Sequence, residues 1–139
     1  MACLDTSVLV DLLRPSRSGA YTVARAKIEE LLGAGADIVT TRFNVAELWA
    51  GVAASREPEK EEAAMQALLE PVLAIDFDER SARSAGYLST ELRRRGTPIG
   101  TMDVLIAATC IVNRQPIVTR NARHFELVPG LEVDAYGDS

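Results

Sequence analysis

Short apolar runs of strand length alternate with longer stretches of helical composition along the whole chain, and that alternation admits few folds. ACLD (2–5), DIVT (37–40), VLAID (72–76) and QPIVT (115–119) are the runs, with LEVDAY (131–136) a candidate fifth. Between them, TS supplies N-cap residues for VLVDLLR (8–14), which stops before Pro15. A second helix fits 19–32 and closes in GAGA, a third 43–54, and a charged one 56–70, ending at Pro71. DERSARSAGYLSTELRRRG (78–96) is a long helix stopped by Gly96, and TMDVLIAATCIVN (101–113) a nearly all-apolar one. Strands alternating with helices predict an α/β fold around a mainly parallel sheet of four to five strands. GAGA closes a helix and precedes a strand, the reverse of a phosphate-binding glycine loop, so it reads as a helix stop.

With 139 residues and 47% hydrophobic content, the chain suits one domain, expected over 1–136 with a tail at 137–139. Neither a membrane-length apolar run nor a signal-peptide pattern is present, which predicts a cytosolic protein. Cys3 and Cys110 sit in apolar runs and read as small core residues. His124, the single histidine, argues against an imidazole metal site or a His-dependent triad. A net charge of −5 gives no general pull toward nucleic acid, although screening lets local basic groups act on their own. The concentrated basic run Arg93, Arg94 and Arg95 suits a helix C-terminus.

Among twenty acidic residues, three stand in unusual settings. FNVAELWAGVAA (43–54) reads as a helix apolar on most sides, with Asn44, Glu47 and Gly51 as its narrow non-apolar stripe. Such a helix is expected to be buried, and a buried carboxylate needs a cation or a partner. Asp5 ends the first strand and Asp103 lies in the first turn of the 101–113 helix. Asp5 could alternatively be a simple N-cap, Asp103 a dipole complement and Glu47 a paired core carboxylate. Asp11 is expected on the wet face of its helix, and Asp76 beside a charged turn.

Ligand sites in α/β sheets form beyond the carboxyl ends of the strands, where Asp5 and Asn121 both fall. If the three acids converge, two carboxylates ~5 Å apart repel by roughly 3 kcal/mol at an effective dielectric of 20. A hard divalent cation such as Mg²⁺ or Mn²⁺ removes that repulsion and can activate water against a phosphodiester.

LDTSVLVDLL, AELWAG, IGTMDVLIAAT and TRNARHF resemble, in order and spacing, the four acidic motifs of PIN-domain nucleases, in particular the VapC-type toxins of bacterial toxin–antitoxin pairs. The resemblance spans Met1 to Tyr136. It implies a three-layer PIN-like fold and a Mg²⁺- or Mn²⁺-dependent ribonuclease, held inactive by a cognate antitoxin and commonly homodimeric. Asp5, Glu47 and Asp103 match the metal-binding acids, and Thr6 matches the hydroxyl that commonly supports the first of them. Asn121 occupies the fourth position, often Asp in the family; its amide can orient a water but brings no charge. Arg120 and Arg123 flank this position and are candidates to meet RNA phosphate. Two rival classes remain. One is a catalytically silent PIN-like module that binds RNA or protein. The other is phosphotransfer through an aspartyl phosphate at Asp5, which wants a second Asp where this chain has Ser7.

Overall fold

The computed structural model describes residues 1–14 and 18–137; Pro15 and the last two residues of the expected tail lie outside them. Five strands form one sheet: β1 (Ala2–Leu4), β2 (Ile38–Thr41), β3 (Leu73–Ile75), β4 (Ile117–Thr119) and β5 (Val133–Ala135). Their order is β3-β2-β1-β4-β5, and every pairing is parallel. All four main strands and the candidate fifth therefore form where the apolar runs place them. The helices are α1 (Thr6–Leu13), α2 (Ser18–Gly33), α3 (Arg42–Ala53), α4 (Pro58–Leu69), α5 (Glu79–Arg94), α6 (Thr101–Val112) and α7 (Ala122–Phe125). Sequence reading missed only α7, whose four residues are too short for a periodic signal.

Period-two alternation along the strands splits the core into two layers. Ala2, Leu4 and Val118 pack against Val8 and Leu9 of α1, Ala24 of α2, Leu48 and Val52 of α3 and Met65 of α4. Cys3, Val39 and Ile117 point the other way, against Leu88 and Leu92 of α5, Ile106 of α6 and Phe125 of α7. Both cysteines are buried free thiols, as their apolar settings predict. The Cys110 hydrogen bond and burial push the Cys3 thiol well up. The glycine stops work as expected. Gly96 takes φ +72°, its N–H and that of Thr97 closing on the carbonyls of Arg93 and Leu92. Gly35 does the same for α2 at φ +79°. Among the described residues no helix is long and apolar enough to cross a membrane.

Two burial expectations need correction. Helix α3 is not enclosed: it buries only Asn44, Leu48 and Val52, a line at four-residue spacing, while Ala46, Glu47, Ala50 and Gly51 face solvent. Alanine leaves little apolar surface to hide, so a helix with several can rest on a single stripe. Asp11 lies not on a wet face but 3% exposed, bonded to Arg120 and to the Tyr136 hydroxyl. Its α1 helix is covered on that side by β4 and the segment after β5, a long-range arrangement that helical periodicity does not encode. Asp76 is exposed and pairs with Arg42.

Candidate active site

Strand order reverses at β1: β2 lies on one side and β4, reached after the third strand, on the other. Such a switch point opens a crevice beyond the strand ends. Cys3 pairs with Ile117 and Leu4 with Val118, so one further residue sets Asp5 beside Thr119. The side chains meet there: the Thr119 hydroxyl donates to Asp5 Oδ2 at 2.8 Å. From the β2 side, the Asn44 amide donates to Asp5 Oδ1 at 3.0 Å and to the Thr6 hydroxyl at 3.0 Å. Thr6 in turn donates to Glu47 Oε1 at 2.7 Å. The first-acid hydroxyl expected of Thr6 thus goes to Glu47, because α1 turns the side chain toward α3; Thr6 supports Asp5 through its backbone.

Asp5, Thr6, Glu47, Asp103, Arg120, Asn121 and Arg123 line one cleft of about 590 Å³ together with Ser7 and His124. All the sequence-predicted site residues are therefore brought together. A somewhat larger groove of about 670 Å³ runs along α5 beside Tyr87, but a lone Glu91 is the only acid lining it. Asp103 is half-buried in the first turn of α6 and meets His124 Nδ1 at 3.0 Å. Asn121 is exposed at the cleft, and its backbone N–H donates to the Thr119 hydroxyl. Arg120 is tethered to Asp11 at 3.0 Å, whereas Arg123 stands exposed on α7.

The acids feel one another. Burial chiefly raises the Asp5 carboxyl above the usual range, opposed by its bonds from Thr119, Thr6 and Asn44, and the charge of Asp103 raises it further. Glu47 is likewise raised, by desolvation first and then by Asp5 and Asp103, against the lowering bond from Thr6. The bonds to Asp5 and Glu47, both of which line the cleft, leave their carboxylates with spare acceptor capacity. Among the described residues, no three Asp, Glu, His or Cys side chains close into a cage for an ion. Carboxylates lining an open cleft have the donor chemistry that suits a hydrated hard cation keeping several waters, rather than a closed structural site.

A family model described as the PIN domain matches residues 2–131. The chain belongs to the PIN-domain family. Over 132 residues it is 35% identical to Ribonuclease VapC19 of Mycobacterium tuberculosis, covering 95% of this chain and 98% of the relative. It is 33% identical over 88 residues to the tRNA(fMet)-specific endonuclease VapC of Salmonella typhimurium, covering 63% and 67%. In three dimensions it is similar to a chain of VapBC2 from Rickettsia felis bound to a DNA fragment from their promoter, with TM-score 0.85, 28% identity and 98% of each chain covered.

This PIN domain carries site residues that sequence reading passed over. The sequence pattern marks Asn44 only as part of a polar stripe, yet it is fully buried against Asp5. Thr119 and Ser7 looked like ordinary strand and cap residues. The Thr119 proton goes to Asp5, and Ser7, whose hydroxyl lies 3.4 Å from that of Thr119, accepts the Arg120 N–H. His124, read only as evidence against imidazole chemistry, lines the PIN cleft against Asp103. The parallel register of β1 and β4 is the signal that would have found Thr119; no periodicity pointed to the other three.

Proposed function

We propose that the chain is a divalent-cation-dependent ribonuclease, the toxin of a toxin–antitoxin pair, with Asp5, Glu47 and Asp103 holding Mg²⁺ or Mn²⁺. The observation that carries this reading is the convergence of three carboxylates on one cleft, two of them raised by burial and mutual repulsion. No fold needs that repulsion for its own sake, and a cation relieves it. When bound, the ion supplies charge neutralisation and a water acidic enough to attack a phosphodiester. The protein's own residues do the rest. Asp5 and Glu47 keep their oxygens aimed by fixed bonds, Asn121 orients a water through its amide, and Arg120 and Arg123 receive phosphate at the cleft edge. Attack by water on phosphorus, with departure of the 3′-oxygen, leaves a 5′-phosphate and a 3′-hydroxyl.

The names of the VapC relatives support RNA as the substrate and, through the Salmonella enzyme, transfer RNA as the first class to test. The VapBC2 assembly supports a cognate antitoxin partner, and we propose a cytoplasmic homodimer in complex with it. Sequencing of RNA ends after a brief pulse of expression tests the activity: clustered new 5′-phosphate ends in one RNA class are expected. Unchanged RNA ends despite toxicity would turn the assignment toward a binding module.

A further inference from the structure

Asn44 is the third residue of α3 and 0% exposed. Its orientation follows from its neighbour. The Thr41 hydroxyl caps α3 by accepting the Asn44 backbone N–H at 3.1 Å, so its own proton goes to Asn44 Oδ1, 2.6 Å away. With the amide oxygen committed to Thr41, the NH₂ group faces Asp5 Oδ1 and the Thr6 hydroxyl, each at 3.0 Å. The reverse orientation would set a carbonyl oxygen against the Asp5 carboxylate. Thr6, having accepted from Asn44, donates to Glu47 at 2.7 Å. Protons therefore run one way, from Thr41 through Asn44 and Thr6 to Glu47, with a branch to Asp5. A residue serving only to start a helix has no use for those two outward donors.

We propose that Asn44 is the positioning residue of the acidic site: its buried carboxamide holds Asp5 directly and Glu47 through Thr6, so that both carboxylates present fixed oxygens to the cation. This rests on the cation-dependent nuclease reading above. Loss of the amide frees two carboxylates that repel each other, and partners standing behind metal ligands typically control about 10- to 100-fold in affinity or activity.

The test compares wild type with Asn44→Leu, similar in shape but without donors, and with Thr41→Val, which keeps the carboxamide but removes the hydroxyl that orients it and caps α3. Three quantities are read: steady-state cleavage of RNA, the Mg²⁺ concentration giving half of the metal-induced rise in melting temperature, and the hydrogen exchange of the Asn44 side-chain amide by NMR in EDTA. For Asn44→Leu we expect kcat to fall about 10- to 100-fold with KM for RNA within about 3-fold, and the Mg²⁺ midpoint to rise about 10-fold or more. Thr41→Val moves the midpoint the same way by a smaller factor. In metal-free wild type the amide protons exchange slowly, and Asp5→Asn shifts their resonances. A folded Asn44→Leu with wild-type kcat and Mg²⁺ midpoint overturns the proposal. Should that variant not fold, an unchanged midpoint in Thr41→Val or a freely exchanging wild-type amide overturns it equally. If wild type neither cleaves RNA nor is stabilised by Mg²⁺, the nuclease reading fails on its own, while amide protection still reports whether Asn44 holds Asp5.

Discussion

The two walls of the cleft are built differently. On the inner wall, Asp5 is 7% exposed and both its oxygens are occupied, by Asn44 and by Thr119. Those partners come from the strand and helix ends packed on either side of β1. On the rim, Asp103 has His124 as its neighbour, and His124, Asn121 and Arg123 all stand in solvent. Preorganised ligands need a rigid shell behind them, whereas groups that meet a large polyanion must adapt to it. On the proposed reading, the inner wall supplies the fixed cation ligands, Asp103 reaches the same cation from the rim, and the exposed rim residues meet the substrate.

The largest expected effect removes what both walls share. EDTA should abolish RNA cleavage and Mg²⁺ or Mn²⁺ restore it; Asp5→Asn and Asp103→Asn should each cost about 10³-fold in kcat/KM, the several kcal/mol that a metal supplies. Undiminished cleavage by metal-stripped protein would break the proposed chemistry on both walls at once.

Next comes the support behind the inner wall. Asp11 is buried and paired with Arg120 and Tyr136. Asp11→Ala leaves those donors unpaired and should lower stability by about 2 kcal/mol in urea denaturation. A loss below about 0.5 kcal/mol would mean that Arg120 relaxes into solvent and that this side of the cleft is as adaptable as the rim. The walls can then be set against each other directly. Thr119→Val should reduce kcat about 10-fold, as removal of a ligand's supporting bond does. His124→Ala should leave it within about 3-fold. Equal losses would erase the distinction.

The smallest effect is one of sign. Raised Asp5 and Glu47 carboxyls mean that the folded, metal-free protein holds protons more tightly than the unfolded chain. Their contribution to stability is then greatest in acid and declines as pH rises from the ordinary carboxylate range, near 4, through the raised folded values. Glu47→Gln keeps an acceptor for Thr6 but removes a repelling charge. In EDTA at pH 7.5 it should melt slightly above wild type, by a degree or two, and the difference should shrink toward pH 4.5. A variant that melts lower at both pH values while cleaving RNA normally would assign Glu47 to an ordinary structural pair.

The sequence alone determined the α/β class, the strand and helix order, the glycine stops and the acids to watch, because each is written in local periodicity, capping chemistry or spacing. Asp5, Glu47 and Asp103 were legible as residues out of place for their surroundings, and the family motifs joined them. Tertiary structure alone decided that Glu47 faces the cleft from an open helix, that Asp11 is buried against Arg120, and that Asn44 and Thr119 grip Asp5. Asn44 and Asp5 are 39 positions apart and Thr119 and Asp5 114. Contacts of that reach depend on parallel pairing on both sides of β1, and a parallel register is set by crossovers through whole helices, with no local pattern to announce it.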